Sequence, residues 1–280
     1  MQLRNFGTSQ RQVSAIGQGS WQIEVSRKSD AIAALRAGLD LGLTHIDTAE
    51  MYGSGAAERM IAEAIRGRRD AVFLVSKVLP TNASMRGTVK ACEQSLRNLG
   101  TDHLDCYLLH WRGRYPLTET IAAFKALQRD AKILSWGVSN FDVADLEEVT
   151  AIAGAPACNQ VLYHLRERAI EHAVIPWCEA HGTAVVAYTP FGSSAVTYGA
   201  TTPEGRLLNE IAAAHGASAR QVALRFLLRY PNLFVIPKAA RLEHVTDNAG
   251  AANFELSATE VTAIEAAFKR GPPRRELPMN

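Results

Sequence analysis

The chain has 280 residues, a length common for an α/β barrel, and 47% of them are hydrophobic. Its 30 basic and 28 acidic residues leave a formal charge of +2 and are scattered, which excludes the basic stripe of a nucleic-acid-binding protein. No apolar run reaches the roughly 18 residues of a membrane span, and the N-terminus lacks the apolar core of a signal peptide. Widely spaced cysteines without metal-ligand spacing are typical of reduced thiols in a cytosolic protein; they are Cys92, Cys106, Cys158 and Cys178. We therefore expect a soluble, cytoplasmic, globular protein without a metal site, a nucleic-acid partner or a membrane partner.

Short apolar strands alternate with amphipathic helices along the whole chain. Two strands around the turn Gly7-Thr8-Ser9-Gln10, Leu3–Phe6 and Gln12–Ile16, predict an N-terminal β-hairpin. The first of eight further strands ends at Gly17-Gln18-Gly19. The other seven are predicted at His45–Asp47, Val72–Lys77, Leu104–His110, Ile133–Ser139, Ala157–Gln160, Ala184–Tyr188 and Leu233–Ile236.

Helices are predicted between these strands, because apolar side chains recur every three to four residues and capping residues precede them. Ser29 is the predicted cap of the first helix, and Ser218 and Ser257 each open a capping box. The predicted helices begin near Ser29, Ala57, Asn82 or Ser84, Leu117, Asp142, Ile170, Glu204, Ser218, Leu242 and Ser257. A longer loop, from Thr189 to Pro203, follows the seventh strand.

Eight apolar strands, each followed by a helix, predict an α/β fold of the parallel (β/α)8 or TIM-barrel type, with an extra helix at the C-terminal end. The alternative is a doubly wound sheet, which requires a glycine-rich phosphate turn after its first strand. The stretch Gly17-Gln18-Gly19-Ser20-Trp21 does not complete the G-x-G-x-x-G pattern. No linker divides the chain, so residues 1–280 are expected to form one domain.

Polar residues stand at the ends of the predicted strands, and in a parallel barrel these ends converge on one mouth. They are Asp47, Lys77, His110, Ser139, Asn140, Gln160, Tyr188 and Lys238. Structural roles are the alternative: a helix cap for Asp47, an ion pair for Lys77, a core position for His110. Since these three end consecutive strands and Tyr52 follows Asp47 by five residues, packing alone explains them poorly, and a catalytic site is favoured.

Tyr52 is the candidate proton donor of this site. A free phenol has a pKa of about 10, whereas an acid that works at neutral pH is best near 7, a difference of about 4 kcal/mol. The Lys77 ammonium, held charged by Asp47, would supply that stabilisation, and His110 would orient a carbonyl oxygen. The constellation suits protonation of an oxygen while hydride reaches a carbonyl carbon.

The chain resembles the aldo-keto reductases over essentially its whole length. The segments IDTAEMYG, LVSK and LDCYLLH match that family's catalytic tetrad at Asp47, Tyr52, Lys77 and His110, and GVSNF and IPK follow in the family's order. Within the family the chain looks most similar to short bacterial reductases of the methylglyoxal-reductase type. The resemblance implies reduction of small aldehydes and ketones to alcohols with NADPH, or with NADH.

The resemblance also implies the residues that bind the cofactor. Those for the nicotinamide end are Ser139, Asn140, Gln160 and Tyr188, the last of which stacks on the ring. Those along the pyrophosphate are Thr189, Pro190, Phe191 and Gly192. Those for the adenosine and its 2′-phosphate are Lys238, Arg241, His244 and Asn248. Many family members have an arginine where this chain has His244, and Arg241 is a candidate replacement, so NADPH is the expected cofactor and NADH is the alternative.

Trp21 and Trp111 are the candidate substrate contacts at the rim of the barrel. After the last helix only Gly271–Asn280 remains, and this short tail predicts an open cavity for small aldehydes. We expect a monomer or a weak oligomer that takes a small carbonyl substrate. Two alternatives stay open: a nicotinamide-binding regulatory protein with low turnover, and a barrel lyase or isomerase with a Schiff base at Lys77.

Overall fold

The computed structural model describes residues 1–192, 198–274 and 276–279, and its strands form two sheets. A small antiparallel hairpin pairs β1 (Leu3–Asn5) with β2 (Gln12–Ser14), as predicted. The second sheet has, in the described residues, eight parallel strands, each hydrogen-bonded to the next along the chain. They are β3 (Gln18–Gly19), β4 (His45–Asp47), β5 (Phe73–Val78), β6 (Leu104–Leu109), β7 (Ile133–Ser139), β8 (Cys158–Leu162), β9 (Ala184–Tyr188) and β10 (Leu233–Val235).

The first and last strands of this sheet meet and close it into a barrel. The backbone N–H of Gly17 donates to the Val235 carbonyl oxygen at 2.8 Å, and Gly19 forms a parallel bridge to Lys238. A Cβ atom on Gly19 would lie 2.6 Å from the carbonyl oxygen of Ile236, so this seam requires a residue without a side chain. The predicted (β/α)8 barrel is confirmed.

Ten α-helices accompany the strands in the described ranges, and none of them is long and apolar enough to cross a membrane. They are α1 (Lys28–Asp40), α2 (Ala56–Ala64), α3 (Met85–Leu99), α4 (Leu117–Arg129), α5 (Val143–Ala153), α6 (Val174–Ala180), α7 (Pro203–Ala214), α8 (Ala219–Leu227), α9 (Leu242–Gly250) and α10 (Ala258–Ala267). Ser218 and Ser257 form the predicted capping boxes. The predicted cap at Ser29 is wrong, because α1 begins at Lys28 and Ser29 lies in its first turn. Residues 193–197 of the loop predicted between Thr189 and Pro203, and residues 275 and 280 of the tail, lie outside the described residues.

Side chains along each strand face the helices and the barrel interior in turn, because a strand has a period of two. An apolar cluster fills the interior, separate from the larger cluster between strands and helices. Phe6 and Val13 of the hairpin belong to the interior cluster and close the end of the barrel at which the strands begin. His45 is fully buried there, with its ring centroid 5.6 Å from that of Phe6. The opposite end, where the strands finish, is left for a cavity.

Candidate active site

The period of two also decides which residues reach the open end of the barrel. On β6, Cys106 and Leu108 belong to the interior cluster, and His110 is the next residue in line. On β5, Val75 belongs to that cluster and precedes Lys77 in the same way. The same count on the other strands leads to Asp47, Ser139, Gln160, Tyr188 and Lys238. The apolar interior of the barrel thus ends in a ring of polar side chains.

A cavity of about 490 Å³ opens at this end. The predicted site residues that line it are Trp21, Asp47, Tyr52, His110, Trp111, Ser139, Asn140, Gln160, Tyr188, Thr189, Pro190, Phe191, Gly192 and Lys238. Lys77 is fully buried and contacts two of these residues, Asp47 and Tyr52. Arg241, His244 and Asn248 are not among the described residues that line the cavity. The structure therefore brings together the residues predicted for catalysis, for the nicotinamide end and for substrate.

The Lys77 ammonium contacts three acceptor oxygens. Its Nζ donates to Asp47 Oδ1 at 2.6 Å and to the Thr48 carbonyl oxygen at 2.8 Å, and it contacts the Tyr52 hydroxyl at 3.3 Å. The side-chain amide of Gln160 donates to the other Asp47 oxygen at 2.7 Å. An ammonium has three N–H donors, so all of them have partners, and the buried carboxylate is fixed from two sides.

The pKa shifts of this group follow from burial and from the ion pair. Burial would lower the pKa of the Lys77 ammonium, but Asp47 and Tyr52 outweigh it and the pKa is raised. Burial raises the pKa of the Tyr52 phenol above its usual value, and the Lys77 charge offsets this only in part. The expected pKa near 7 for Tyr52 is therefore wrong: the phenol keeps its proton at neutral pH.

His110 is neutral. Burial, and then the Lys77 charge, lower the pKa of its imidazole to about 2. Its Nδ1 is buried and has no hydrogen-bond partner among the described residues, and its ring meets the Tyr52 ring edge to face with centroids 5.9 Å apart. A neutral imidazole at the cavity wall can donate one N–H to an oxygen without competing with the phenol as an acid.

A second set of hydrogen bonds joins the ends of β6, β7, β8 and β9. The Ser139 hydroxyl donates to the Gln160 carbonyl oxygen at 2.8 Å, and the Asn140 amide donates to the His110 carbonyl oxygen at 3.1 Å. The Tyr188 hydroxyl donates to Asn140 Oδ1 at 2.9 Å. Asn140 has a φ of +60°, a left-handed conformation that asparagine tolerates better than most residues. These contacts fix the wall that the resemblance assigns to the nicotinamide.

The model of the Aldo/keto reductase family matches residues 15–269 of this sequence. The chain belongs to the aldo/keto reductase family. It is 44% identical over 269 residues to the methylglyoxal reductase of Escherichia coli (strain K12), a match that covers 95% of this chain and 94% of that relative. It is 32% identical over 264 residues to the glyoxal reductase of Bacillus subtilis (strain 168), covering 91% of this chain and 90% of the relative.

Solved structures of aldo-keto reductases have the same fold. Two crystal structures from Klebsiella pneumoniae, one in complex with NADP and acetate and one with NADPH, each give a TM-score of 0.92 at 42% identity. Both matches cover 100% of this chain, and they cover 99% and 100% of the two structures. The resemblance inferred from the tetrad motifs is confirmed along the whole chain.

In this aldo-keto reductase the residues predicted for the adenosine end follow β10 in order. Lys238 is exposed and lines the cavity. Arg241 directly precedes α9, and its guanidinium contacts the His244 ring and pairs with Glu243 at 3.1 Å. Arg241 and His244 are both exposed, whereas Asn248 on the same helix is buried. The predicted helix start is confirmed, and Arg241 just before it contacts His244 in its first turn.

The loop that carries Tyr52 is held by a residue that the sequence left unassigned. Glu50 Oε1 accepts hydrogen bonds from the Leu79 backbone at 2.6 Å and from the Asn82 amide at 2.9 Å. The carboxylate thereby ties this loop of the aldo-keto reductase to the segment after β5. Met51, also unassigned, lines the cavity. Both residues lie in the short loop between Asp47 and Tyr52, and that position was the sequence signal for a role at the site.

The two predicted substrate contacts lie at different depths. Trp21 is 48% exposed at the rim of the cavity. Trp111 is half-buried, and its ring centroid lies 4.8 Å from that of His110. Trp111 thus lies beside His110, and Trp21 lies at the entrance of the cavity.

The C-terminal tail reaches the cavity. Arg274 pairs with Glu167 at 2.8 Å, and the His172 ring contacts the Gly271 carbonyl oxygen at 2.9 Å. Met279 then lines the cavity. The tail thus adds one residue to the lining, and the open cavity for small aldehydes stays a prediction.

Arg220, in the first turn of α8, was not identified from the sequence. It lines the cavity, and its guanidinium lies 4.8 Å from the centroid of the Phe191 ring. An arginine in the first turn of a helix is ordinarily a solvated surface residue, so neither its type nor its spacing marked it. Arg220 lines the cavity only because the loop that contains Phe191 folds against it.

Proposed function

We propose that this enzyme reduces small aldehydes and ketones to alcohols with NADPH as the hydride donor. The observation that carries the proposal is the buried Lys77–Asp47 pair, whose ammonium contacts the Tyr52 hydroxyl at 3.3 Å beside the cavity. Such a group can deliver a proton to an oxygen and stabilise the anion that remains. Supporting this, the relatives from E. coli and B. subtilis are a methylglyoxal reductase and a glyoxal reductase, and the K. pneumoniae neighbours bind NADP or NADPH.

The donors and acceptors along the cavity suit a nicotinamide dinucleotide. Asn140 and Gln160 carry amides that can exchange hydrogen bonds with a carboxamide, and Tyr188 offers an aromatic face. Lys238, which lines the same cavity, supplies a cation for a phosphate group. When bound there, NADPH supplies the hydride that reduces the carbonyl carbon.

Tyr52 donates its proton to the substrate oxygen as negative charge develops on that oxygen. Because burial raises its pKa, the phenol is protonated at neutral pH and ready to donate. As the proton leaves, the Lys77 ammonium stabilises the phenolate, and Asp47 keeps that ammonium charged. The charge on the substrate oxygen is largest in the transition state, so the arrangement favours the transition state over the bound substrate.

His110 orients the carbonyl group. Its neutral imidazole lines the cavity beside Tyr52 and can donate an N–H to the carbonyl oxygen. Two donors that converge on one oxygen hold it where the phenol can reach it, which is the usual requirement of general acid catalysis.

The variant Tyr52→Phe tests this function, assayed with methylglyoxal and NADPH. We expect kcat to fall about 10²- to 10⁴-fold, the usual contribution of a general acid. The dissociation constant for NADPH, followed by tryptophan fluorescence, should stay close to that of the wild type. Tyr230→Phe is the matched control, because it removes a hydroxyl that contacts Arg229 at 3.2 Å outside the described cavity lining, and it should keep wild-type turnover.

Near wild-type turnover by Tyr52→Phe would refute the assigned acid. A wild-type protein that binds NADPH but consumes none across a panel of aldehydes would instead be the regulatory protein. Trapping of the substrate by borohydride on Lys77 would point to the Schiff-base lyase or isomerase.

A further inference from the structure

Arg220 presents a cation to the cavity that the proposed chemistry does not use. Its side chain is half-buried, and it lines the cavity together with Phe191, Gly192 and Lys238. The guanidinium carbon lies 4.8 Å from the centroid of the Phe191 ring and 5.3 Å from that of Tyr198. Contacts of this kind use the face of the guanidinium and leave its N–H donors, which lie in its plane, available.

Those donors have no acceptor among residues 1–192, 198–274 and 276–279, where no hydrogen bond or ion pair involves Arg220. Arg229 shows the contrast, since it also stacks on a ring, that of Phe226 at 3.8 Å, but pairs with Glu171 at 2.8 Å. A stacked guanidinium without an acidic partner, at the wall of a cavity, matches an anionic ligand better than a structural ion pair.

The surroundings of Arg220 indicate which part of a ligand it meets. The residue belongs to the first turn of α8, where the positive end of the helix dipole favours an anion. The neighbouring Gln221 donates to the Asp247 carbonyl oxygen at 2.8 Å and so fixes α8 against α9. Arg220 therefore lies between the loop with Phe191 and the helix that follows Lys238, the two segments that the family resemblance assigns to the phosphates and the adenosine.

We propose that Arg220 binds a phosphate group of the dinucleotide, with its N–H donors on the phosphate oxygens and its face on Phe191. This inference rests on the proposed function, because it takes NADPH as the ligand. The pyrophosphate and the adenosine 2′-phosphate offer the same oxygen chemistry. In either case Arg220 is a positioning residue that sets affinity for the nucleotide, and it supplies a guanidinium in a chain that has His244 where many relatives have arginine.

The test compares the wild type with Arg220→Gln and Arg220→Lys in titrations with NADPH and with NADH, followed by tryptophan fluorescence at several salt concentrations. For Arg220→Gln we expect the Kd for NADPH to rise about 10- to 100-fold, the scale of a lost charged hydrogen bond. The dependence of Kd on salt should weaken, since one cation is gone. Arg220→Lys should restore part of the affinity, and the loss should fall on Kd and on the KM for NADPH more than on kcat.

Arg206→Gln is the matched control, because it removes the same charge from an exposed position on the neighbouring α7 outside the described lining; it should bind NADPH as the wild type does. A loss for NADPH and NADH alike assigns Arg220 to the pyrophosphate, and a loss for NADPH alone assigns it to the 2′-phosphate; both outcomes support the inference. Wild-type affinity in Arg220→Gln overturns it and leaves the proposed function intact. A loss that salt does not alter and lysine does not restore also overturns it, because that loss comes from packing on Phe191. If the wild type binds neither nucleotide, the proposed function itself fails.

Discussion

Two histidines are buried in this barrel, one at each end, and their surroundings differ. His45 lies at the closed end among the rings of Phe6, Phe73 and Phe234, and both of its ring nitrogens lack a hydrogen-bond partner in the described structure. His110 lines the cavity at the open end. Burial lowers the pKa of His45 to about 3 and that of His110 to about 2, so both rings are neutral. A lowered histidine pKa therefore does not mark a functional site in this protein. The difference is that the His110 ring faces a cavity and can contact a ligand, whereas the His45 ring is enclosed.

The two ends also differ in the charge that they retain. The interior cluster around His45 is made of apolar side chains, whereas the interior at the open end holds the buried ion pair of Lys77 and Asp47. The Lys77 charge contributes to the lowered pKa of both histidines, second to burial in each case. One buried ammonium thus helps to keep both ends of the interior free of a second positive charge.

The largest effect on this comparison should come from removing the charge at the open end. In Lys77→Met, Asp47 is left buried without its cation, and we expect the free energy of unfolding to fall by about 3–5 kcal/mol. Because the phenolate of Tyr52 loses its stabilising charge, kcat for methylglyoxal should fall at least about 100-fold. Urea denaturation and steady-state assays measure the two effects.

The control for this variant is the double substitution Asp47→Asn/Lys77→Met. It removes both charges and keeps an oxygen that can accept from the Gln160 amide, which donates to Asp47 in the wild type. Part of the lost stability should return, whereas activity should not. Activity restored in the double variant would contradict the role given to Lys77.

At the closed end, the substitution Phe6→Ala should lower the free energy of unfolding and leave catalytic turnover unchanged. The ring is fully buried and packs against Phe73 at 4.6 Å and Phe234 at 5.1 Å between centroids, so its loss leaves a cavity that costs about 3–5 kcal/mol. The turnover of the folded protein should stay within about twofold of the wild type. Phe254→Ala, a ring deletion at a half-buried site, should cost less. A large fall in kcat for Phe6→Ala in protein shown to be folded would mean that the two ends are coupled.

A smaller effect is expected from acid at His45. In the unfolded chain a histidine binds a proton below about pH 6.5, but folded His45 does so only near pH 3, because burial lowers its pKa. Between these values the unfolded state binds more protons, so stability falls as the pH falls, by up to about 1.4 kcal/mol per pH unit. His45→Leu removes this contribution, and the slope of unfolding free energy against pH, from urea melts at pH 4–6, should be shallower. Parallel slopes in the two proteins would contradict the neutral state of His45.

Much of the fold and of the site could be predicted from local pattern. A polar residue that ends an apolar strand has to leave the interior, and in a parallel barrel all such residues leave at the same end. That reasoning identified Asp47, Lys77 and His110, which the structure brings together around Tyr52. His45 ends no apolar run, so its burial beside the hairpin was not predicted.

The features that were not predicted depend on contacts between distant segments of the chain and on burial. The local sequence pattern contains neither. The tail that brings Met279 to the cavity and the loop that brings Phe191 to Arg220 join distant segments. The raised pKa of Tyr52 results from the competition between burial and the Lys77 charge, and the sequence gives only the second. The missed cap at Ser29 is a difference of two residues at a helix start, where local signals are weakest.

Closure of the barrel at Gly19 has a consequence for how the protein is made. Arg4 donates to the carbonyl oxygen of Tyr230, 226 positions further along the chain, and Phe6 packs against Phe234 of the last strand. While a ribosome synthesises this chain, the outer edge of the first barrel strand has no partner until the last strand emerges. The packing of Phe6 at the closed end of the barrel cannot be completed before then. An unpaired strand edge is a template for unwanted pairing. The nascent chain therefore carries an open sheet edge through most of its translation, and its final strand ends that exposure.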